Sequence, residues 1–276
     1  MSYTLLDSGH QRKLERFGSH VLIRPCAQAL WMPALADQAW KEADAVFTRD
    51  EKNSWNAKKP LPASWRVELG GIKFKIAPTD FGHLGLFPEH SLFWPWMQQL
   101  IRKRGKGVRV LNLFAYSGGA TLAAAQAGAS VCHLDASKGM VSWARENAAL
   151  NGLEGAPIRW IVDDVLKFLT REEKRGSCYD GIIVDPPSFG RGKQGETFII
   201  ERDLQLILDK CEKLFSDHPL FWIFTTHTPG MTPLVMKQLM EKRLKGGVWE
   251  SGEMQLPSAT SWTVPSGSYA RWEEKK

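Results

Sequence analysis

Val108-Arg-Val-Leu-Asn-Leu-Phe-Ala-Tyr-Ser-Gly-Gly-Ala-Thr-Leu-Ala-Ala-Ala-Gln-Ala-Gly128 decides the fold. The apolar run from Val108 to Phe114 reads as a buried parallel strand, Ser117-Gly118-Gly119 as the tight turn after it, and Ala120 to Ala127 as the helix that the turn opens. Glycine at 118 and 119 lets the backbone take positive φ and come close to a ligand, while the N–H groups of the new helix point toward the same spot. Gly128 stops the helix. The stretch is half of a nucleotide-binding unit.

The same alternation continues downstream. Ser130 to Asp135 is a second strand ending in a carboxylate, and Ser137 caps a helix whose stripe is Val141, Ala144, Ala148 and Leu150. Ile158 to Val162 is a third strand, followed by Asp163-Asp164 and a helix from Val165 to about Glu173. Tyr179 to Val184 is a fourth, ending at Asp185-Pro186-Pro187-Ser188-Phe189, with a helix from Phe198 to Phe215 behind it. Leu220 to Thr226 is a fifth strand, Thr232 to Leu244 a helix, and Val248 to Met254 with Ser268 to Trp272 a terminal hairpin. The expected fold class is therefore α/β: a Rossmann-like, doubly wound, mainly parallel sheet with an antiparallel C-terminal hairpin strand. Such sheets bind ligands outside the carboxyl ends of their strands, where Asp135, Asp163-Asp164 and Asp185 would converge with the glycine turn.

Upstream, residues 1–78 lack the alternation and read as a small β-rich appendage, leaving 79–276 as the main α/β domain. Val21 to Pro25 is a short strand, Ala34 to Ala45 a helix, and Trp65 to Ile76 two strands around Gly70-Gly71. The glycine-dense Thr79 to His90, carrying His83, Glu89 and His90, reads either as a loop folded over a ligand or as a connection between domains. Ser91 is expected to cap a helix from Leu92 to Arg102, with Pro95 in its first turn.

The 276 residues, 43% of them hydrophobic, can fill a large core. Four cysteines in no metal-ligand spacing argue for a reducing compartment, no structural metal and no disulfide framework. With no apolar leader and no bilayer-length run, a cytoplasmic location and no membrane partner are expected. The net charge of +6 gathers at Arg12-Lys13-Arg16, Lys58-Lys59, Arg102 to Lys106, Arg191-Lys193 and Lys242-Arg243-Lys245, which suits a polyanion such as RNA. Taken singly, each cluster is also what a solvated surface carries. The 12 tryptophans serve either as stacking surfaces or as core anchors.

Asp135, about 20 residues after the turn, stands where a carboxylate accepts from the ribose hydroxyls of an adenosine ligand. The turn lacks the third glycine of a dinucleotide fingerprint, and no Gly-Lys-Ser/Thr is present, which argues against NAD and ATP. Together, Phe114-Ala-Tyr-Ser-Gly-Gly-Ala-Thr, Leu134-Asp-Ala-Ser-Lys, Ala144 to Gly152, Asp163-Asp-Val and Val184-Asp-Pro-Pro-Ser-Phe189 resemble the class I S-adenosylmethionine-dependent methyltransferases. More narrowly, they resemble the bacterial ribosomal RNA large-subunit methyltransferases that modify cytosine C5 or guanine N2. The resemblance spans about residues 80–272. It implies S-adenosyl-L-methionine as cofactor, with Phe114, Ala115, Tyr116, Ser117, Gly118 and Gly119 around its methionine part. It further implies Asp135 on the ribose, Ala136 and Ser137 beside the adenine, and Asp163 or, in the family's acidic position, Asp164 on the adenine amino group.

Asp185, Pro186 and Pro187 would line the reacting centre, with Asp185 also against the cofactor and the stiff loop turning carbonyls to the substrate. The implied reaction is methyl transfer to an RNA base in ribosomal RNA processing. A small-molecule or protein acceptor, or a non-catalytic RNA-binding module, are the alternatives. Where amine-methylating relatives carry an aromatic residue directly after the prolines, this chain has Ser188, with Phe189 one position later. Cytosine C5 chemistry requires a cysteine nucleophile, expected at the end of the fifth strand. This chain has Thr225-Thr-His-Thr228 there, and His227 stands as a candidate base or substrate contact.

Overall fold

The computed structural model describes residues 2–49, 53–191, 195, 197–260 and 262–275. They form two units, one from Met1–Ser91 and Gln255–Ser266, the other from Leu92–Met254 and Gly267–Lys276.

In the first unit, β1 (Tyr3–Gly9), β2 (Arg12–Phe17), β3 (His20–Pro25), β4 (Ala45–Thr48) and β5 (Ser54–Ala57) make one sheet in that order. The strands β6 (Trp65–Leu69) and β7 (Ile72–Ile76) form a separate hairpin around Gly70-Gly71. The β-rich reading of this region holds, but its helix is much shorter than expected: α1 covers only Asp37–Lys41. Hydrogen bonds fix both of its ends. A bulge between Leu5 and Asp7 accompanies a fully buried Asp7 carboxylate, which accepts from Ala34 N, Leu35 N, Trp40 Nε1 and Thr260 Oγ1. On the far side Asp44 accepts from Val21 N at 2.7 Å, and Ala45 onward pairs parallel with β3. Residues 79–91 belong to this unit. Arg24 lies between Glu15 and this loop, donating to both Glu15 oxygens and to the Gly82 carbonyl.

In the second unit, α2 runs Trp94–Arg104. Ser91 does not cap it: its hydroxyl donates to the Pro88 carbonyl in a 3-10 turn, Pro88–Phe93, and Pro95 sits in the first turn of the helix. Then follow β8 (Arg109–Leu113), α3 (Gly119–Gln126), β9 (Ser130–Asp135), α4 (Lys138–Leu150), β10 (Ile158–Val162), α5 (Val165–Lys174) and β11 (Gly181–Val184). The chain continues with β12 (Phe189–Arg191), β13 (Thr197–Ile199), α6 (Ile200–Lys213), β14 (Phe221–Thr226), α7 (Pro233–Met240), β15 (Gly247–Leu256) and β16 (Val264–Glu274). The sheet order is β10-β9-β8-β11-β14-β16-β15, parallel through β14, with β16 antiparallel to β14. This is the doubly wound sheet expected, with the strand order reversing between β8 and β11.

Alternation along β8 assigns the two faces. Leu111 and Leu113 join Phe168, Leu169, Leu204, Ile207, Leu208, Met236 and Met240 in the core under α5, α6 and α7. Asn112 faces the other way, toward α3. Each buried leucine or phenylalanine in such a layer contributes about 1.5–3 kcal/mol. The helix α3 ends as expected at Gly128 (φ 97), with Gly128 N bonded to Ala125 O and Ala129 N to Ala124 O. Among the described residues, no helix is long and apolar enough to cross a membrane.

Candidate active site

The register brings four strand ends to one edge: Leu113 pairs with Leu134, Asp135 with Val162, and Val184 with both Leu113 and Phe224. Phe114, Asp135, Asp163 and Asp185 therefore leave the sheet side by side.

The turn after β8 is the most contorted backbone at this edge. Phe114 (φ 55), Tyr116 (φ 51) and Gly118 (φ 95) are all left-handed, a conformation that costs about 1–3 kcal/mol at a residue other than glycine. Surrounding bonds hold it. Ala115 N donates to Leu134 O, Tyr116 N to Asp135 Oδ2 at 2.9 Å, and Asn147 Nδ2 to Ser117 O at 2.9 Å. The two glycines do different work, contrary to the expectation of positive φ at both. Gly118 carries the left-handed turn, and a Cβ there would sit 3.1 Å from Ala144 Cβ. Gly119 is the first helical residue, and a Cβ on it would lie 2.8 Å from the Trp94 ring, so its bareness serves helix packing.

Beneath the turn runs a buried polar chain absent from the sequence reading: Asn112 Nδ2 donates to Thr121 Oγ1, which is 2.9 Å from His133 Nδ1. Burial, and secondarily Arg145, pull the His133 pKa down to about 3. The imidazole is thus neutral at ordinary pH.

Asp135 is half-buried. Its Oδ1 accepts from Ser137 N (2.8 Å) and its Oδ2 from Tyr116 N (2.9 Å). Burial raises its pKa, and the two N–H groups only partly oppose that rise. Ala136 and Ser137 are exposed, and Ser137 caps α4 as expected by accepting from Met140 N. Asp163 is ion-paired with Arg171, and its backbone N–H donates to Asp135 O at 3.2 Å. Asp164 caps α5: its Oδ1 accepts from Lys167 N at 2.9 Å. This capping duty was not anticipated.

Asp185 is half-buried, and the loop after it is laced to the end of β14. Thr225 Oγ1 donates to Asp185 Oδ1 at 2.7 Å, Thr226 Oγ1 approaches Pro186 O at 3.5 Å, and the Ser188 and Thr228 hydroxyls lie 2.9 Å apart. Pro186 is buried and Pro187 exposed. The three threonines tie this loop to β14, a link the sequence reading passed over. His227, between Thr226 and Thr228, is exposed.

The basic clusters do not all belong to this edge. Arg102 to Arg104 end α2, before β8 begins, so they lie at the amino edge, where Arg104 bonds Glu274 and the His218 carbonyl. Arg243 is spent on Asp209, Glu212 and Gln205. Arg12, Lys13, Arg16, Lys58 and Lys59 are in the first unit. Arg191 stands on β12, and Lys193 lies outside the described residues.

A family model described as "S-adenosylmethionine-dependent methyltransferase" matches residues 22–233. A solved structure from Agrobacterium tumefaciens, a SAM-dependent methyltransferase, is 41% identical, covers 100% of this chain and 91% of its own, and superposes with a TM-score of 0.95. SMU.776, solved with S-adenosylhomocysteine, shares the fold at 22% identity and a TM-score of 0.74, over 95% of this chain and 71% of its own. Ribosomal RNA large subunit methyltransferase K/L of Shewanella baltica is 38% identical over 148 residues, which are 53% of this chain and 20% of that protein. The chain thus matches about a fifth of the length of that curated relative.

Proposed function

This chain belongs to the S-adenosylmethionine-dependent methyltransferase family, and from that premise we propose that it methylates a base of RNA, with ribosomal RNA as the substrate class. The observation that carries the RNA assignment is its 38% identity to ribosomal RNA large subunit methyltransferase K/L over 148 residues. The reaction would run in the cytoplasm.

The groups at the strand ends suit the cofactor. Phe114 to Gly119 form a turn with no side chain at Gly118, against which the methionine part lies. Asp135 has both oxygens fixed by backbone N–H groups, and their remaining lone pairs accept from the ribose hydroxyls. Exposed Ala136 and Ser137 flank the adenine. Asp164, with Oδ1 on the cap, offers its other oxygen to the adenine amino group, and Asp163 braces the site through Arg171.

When bound, S-adenosylmethionine supplies an already activated methyl group, so the chain's own task is alignment and exclusion of water. Asp185, fixed by Thr225, accepts a hydrogen bond from the base to be methylated, between the stiff Pro186-Pro187 walls. His227 contacts the substrate from the end of β14. The acceptor is a nitrogen and not cytosine C5, which would need a thiolate. The end of β14 carries threonines, while burial raises the Cys132 pKa to about 11 and pushes the Cys211 thiol up as well.

Two measurements test this reading. Calorimetry should detect S-adenosylhomocysteine binding, and absence of binding would remove the cofactor assignments. Labelled cofactor should transfer methyl to ribosomal RNA from cells deleted for the gene and not to RNA from the parent; label appearing only in metabolite or protein fractions would reject the RNA substrate.

A further inference from the structure

The glycine turn after β8 rests on side chains that no ligand can reach. Asn112 on β8 and His133 on β9 are register partners in the parallel pair, and Thr121, in the first turn of α3, bridges them. Asn112 Nδ2 donates to Thr121 Oγ1 at 2.9 Å, and His133 Nδ1 lies 2.9 Å from the same oxygen. Asn112, Thr121 and His133 are 3, 0 and 0% exposed. The imidazole also abuts the turn itself, since a Cβ on Gly118 would lie 3.8 Å from His133 Cε1. The Trp160 ring packs on the imidazole, centroids 4.8 Å apart, and Nε2 meets no hydrogen-bond partner among the described residues.

Proton accounting gives this chain a direction. An amide nitrogen donates and never accepts, so Thr121 Oγ1 is the acceptor toward Asn112. The hydroxyl then has its own proton to give, and Nδ1 of the neutral imidazole is the acceptor within reach. Nδ1 is therefore unprotonated, and the ring's one proton sits on Nε2. That tautomer leaves a buried N–H without an oxygen or nitrogen partner, which is unfavourable in itself. What the arrangement gains is an acceptor at Nδ1, aimed at Thr121.

We propose that Asn112, Thr121 and His133 form a positioning relay for S-adenosylmethionine. The Thr121 hydroxyl, clamped between a fixed donor on β8 and a fixed acceptor on β9, holds the first turn of α3 and with it the Gly118 bend. The inference rests on the cofactor assignment and is independent of the methyl acceptor. The N–H groups of that helical turn and the left-handed backbone before it are the cofactor's bed. Phe114 and Tyr116 hold unfavourable φ values there, so the bend needs support from outside itself. Asn147 Nδ2 supplies it from α4 by donating to Ser117 O, and the relay supplies it from the sheet. A bend already held in its binding form binds more tightly than one that must be ordered by the ligand. Because the relay is buried, its loss should weaken affinity while the carboxylate of Asp135 stays in place.

The test uses the full chain. Two-bond proton–nitrogen spectra of protein carrying isotopically labelled histidine should show His133 as a single neutral tautomer, with its proton on Nε2 and none on Nδ1. Its signals are identified among those of the 7 histidines by their absence in His133→Asn. Thr121→Val keeps the shape and removes the hydroxyl. Calorimetry should then show S-adenosylhomocysteine affinity lowered about tenfold, roughly the weight of one hydrogen bond, and the His133 spectrum should become a mixture of tautomers. Thr121→Ser returns the hydroxyl and should restore the single tautomer and an affinity within about twofold of the unsubstituted chain. A threonine that only filled space would let Thr121→Val melt lower yet bind as the unsubstituted chain does, and that result overturns the relay. So does a His133 protonated at Nδ1 in the unsubstituted chain, a measurement that decides the matter even if Thr121→Val does not fold. No S-adenosylhomocysteine binding by the unsubstituted chain would instead remove the cofactor assignment, and the relay with it.

Discussion

The carboxylate of Asp135 joins two parts of the chain that sequence separates. It accepts from Tyr116 N across the strand gap and from Ser137 N beside it. Asp135→Ala should weaken S-adenosylhomocysteine binding at least about tenfold by calorimetry, since bonds to a charged group are worth about 1.5–3 kcal/mol. Asp135→Asn, which keeps one acceptor, should lose less. Gly118→Ala should lower stability by about 1–2 kcal/mol because its φ of 95 is left-handed, read as a shift of the urea midpoint. The roles of Gly118 and Ser137 were legible because one residue's own conformation or hydrogen bonding performs them. Those of Asn112, Thr121, His133 and Asn147 were not, because each partner sits on a different element and the polar atoms meet only once β8, β9, α3 and α4 are packed.

Caps and hairpins obey more local rules, and the sequence spoke clearly where those rules were kept. Gly70-Gly71 supplies two left-handed residues (φ 56 and 76), and its hairpin was read correctly. The β1–β2 hairpin uses the same backbone at His10 (φ 50) and Gln11 (φ 60), residues that seldom take it, and so gave no turn signal. Its second strand, Arg-Lys-Leu-Glu-Arg-Phe, also conceals an inward charge: Glu15 is fully buried against Arg24. The helix expected from Phe198 begins at Ile200 because Thr197–Ile199 pairs back onto Phe189–Arg191, a ribbon too short to show a period. Two substitutions test elements directly. Asp164→Ala removes the cap of α5 and should cost about 1 kcal/mol of stability, seen as a lower melting temperature. Thr225→Val removes the hydroxyl that holds Asp185, and kcat should fall while S-adenosylhomocysteine affinity holds.

For the molecule as a whole, Glu172 and His133 are two of the buried groups that shape the response to acid. Burial raises the Glu172 pKa, but hydrogen bonds from Arg159, Tyr179, Ser177 and Arg175 outweigh it and bring the value down to about 2, from an ordinary 4.5. His133 is held at about 3, from 6.5. In both cases the unfolded chain takes up a proton that the folded one refuses, so stability falls as pH drops. The loss should begin near pH 6.5 with His133 and steepen below 4.5 with Glu172, measured as the urea midpoint against pH. His133→Asn should flatten the upper limb alone. Fold class and strand-end geometry were readable because repeated strand–helix alternation admits few topologies. The position of β16 was not, since a terminal hairpin can add to a sheet by either of its strands.

That position governs how the nascent chain reaches its final form. The strand β16 lies inside the sheet, between β14 and β15, although it is made after both. When β14 leaves the ribosome its wholly buried side chains, Phe221 to Thr226, border an unfilled slot, and among the described residues β15 pairs only with β16. Synthesis must pass through α7, β15 and the following loop before the gap closes. Until then the half-built sheet offers an open, sticky seam, the kind of surface on which chaperones act and aggregates nucleate.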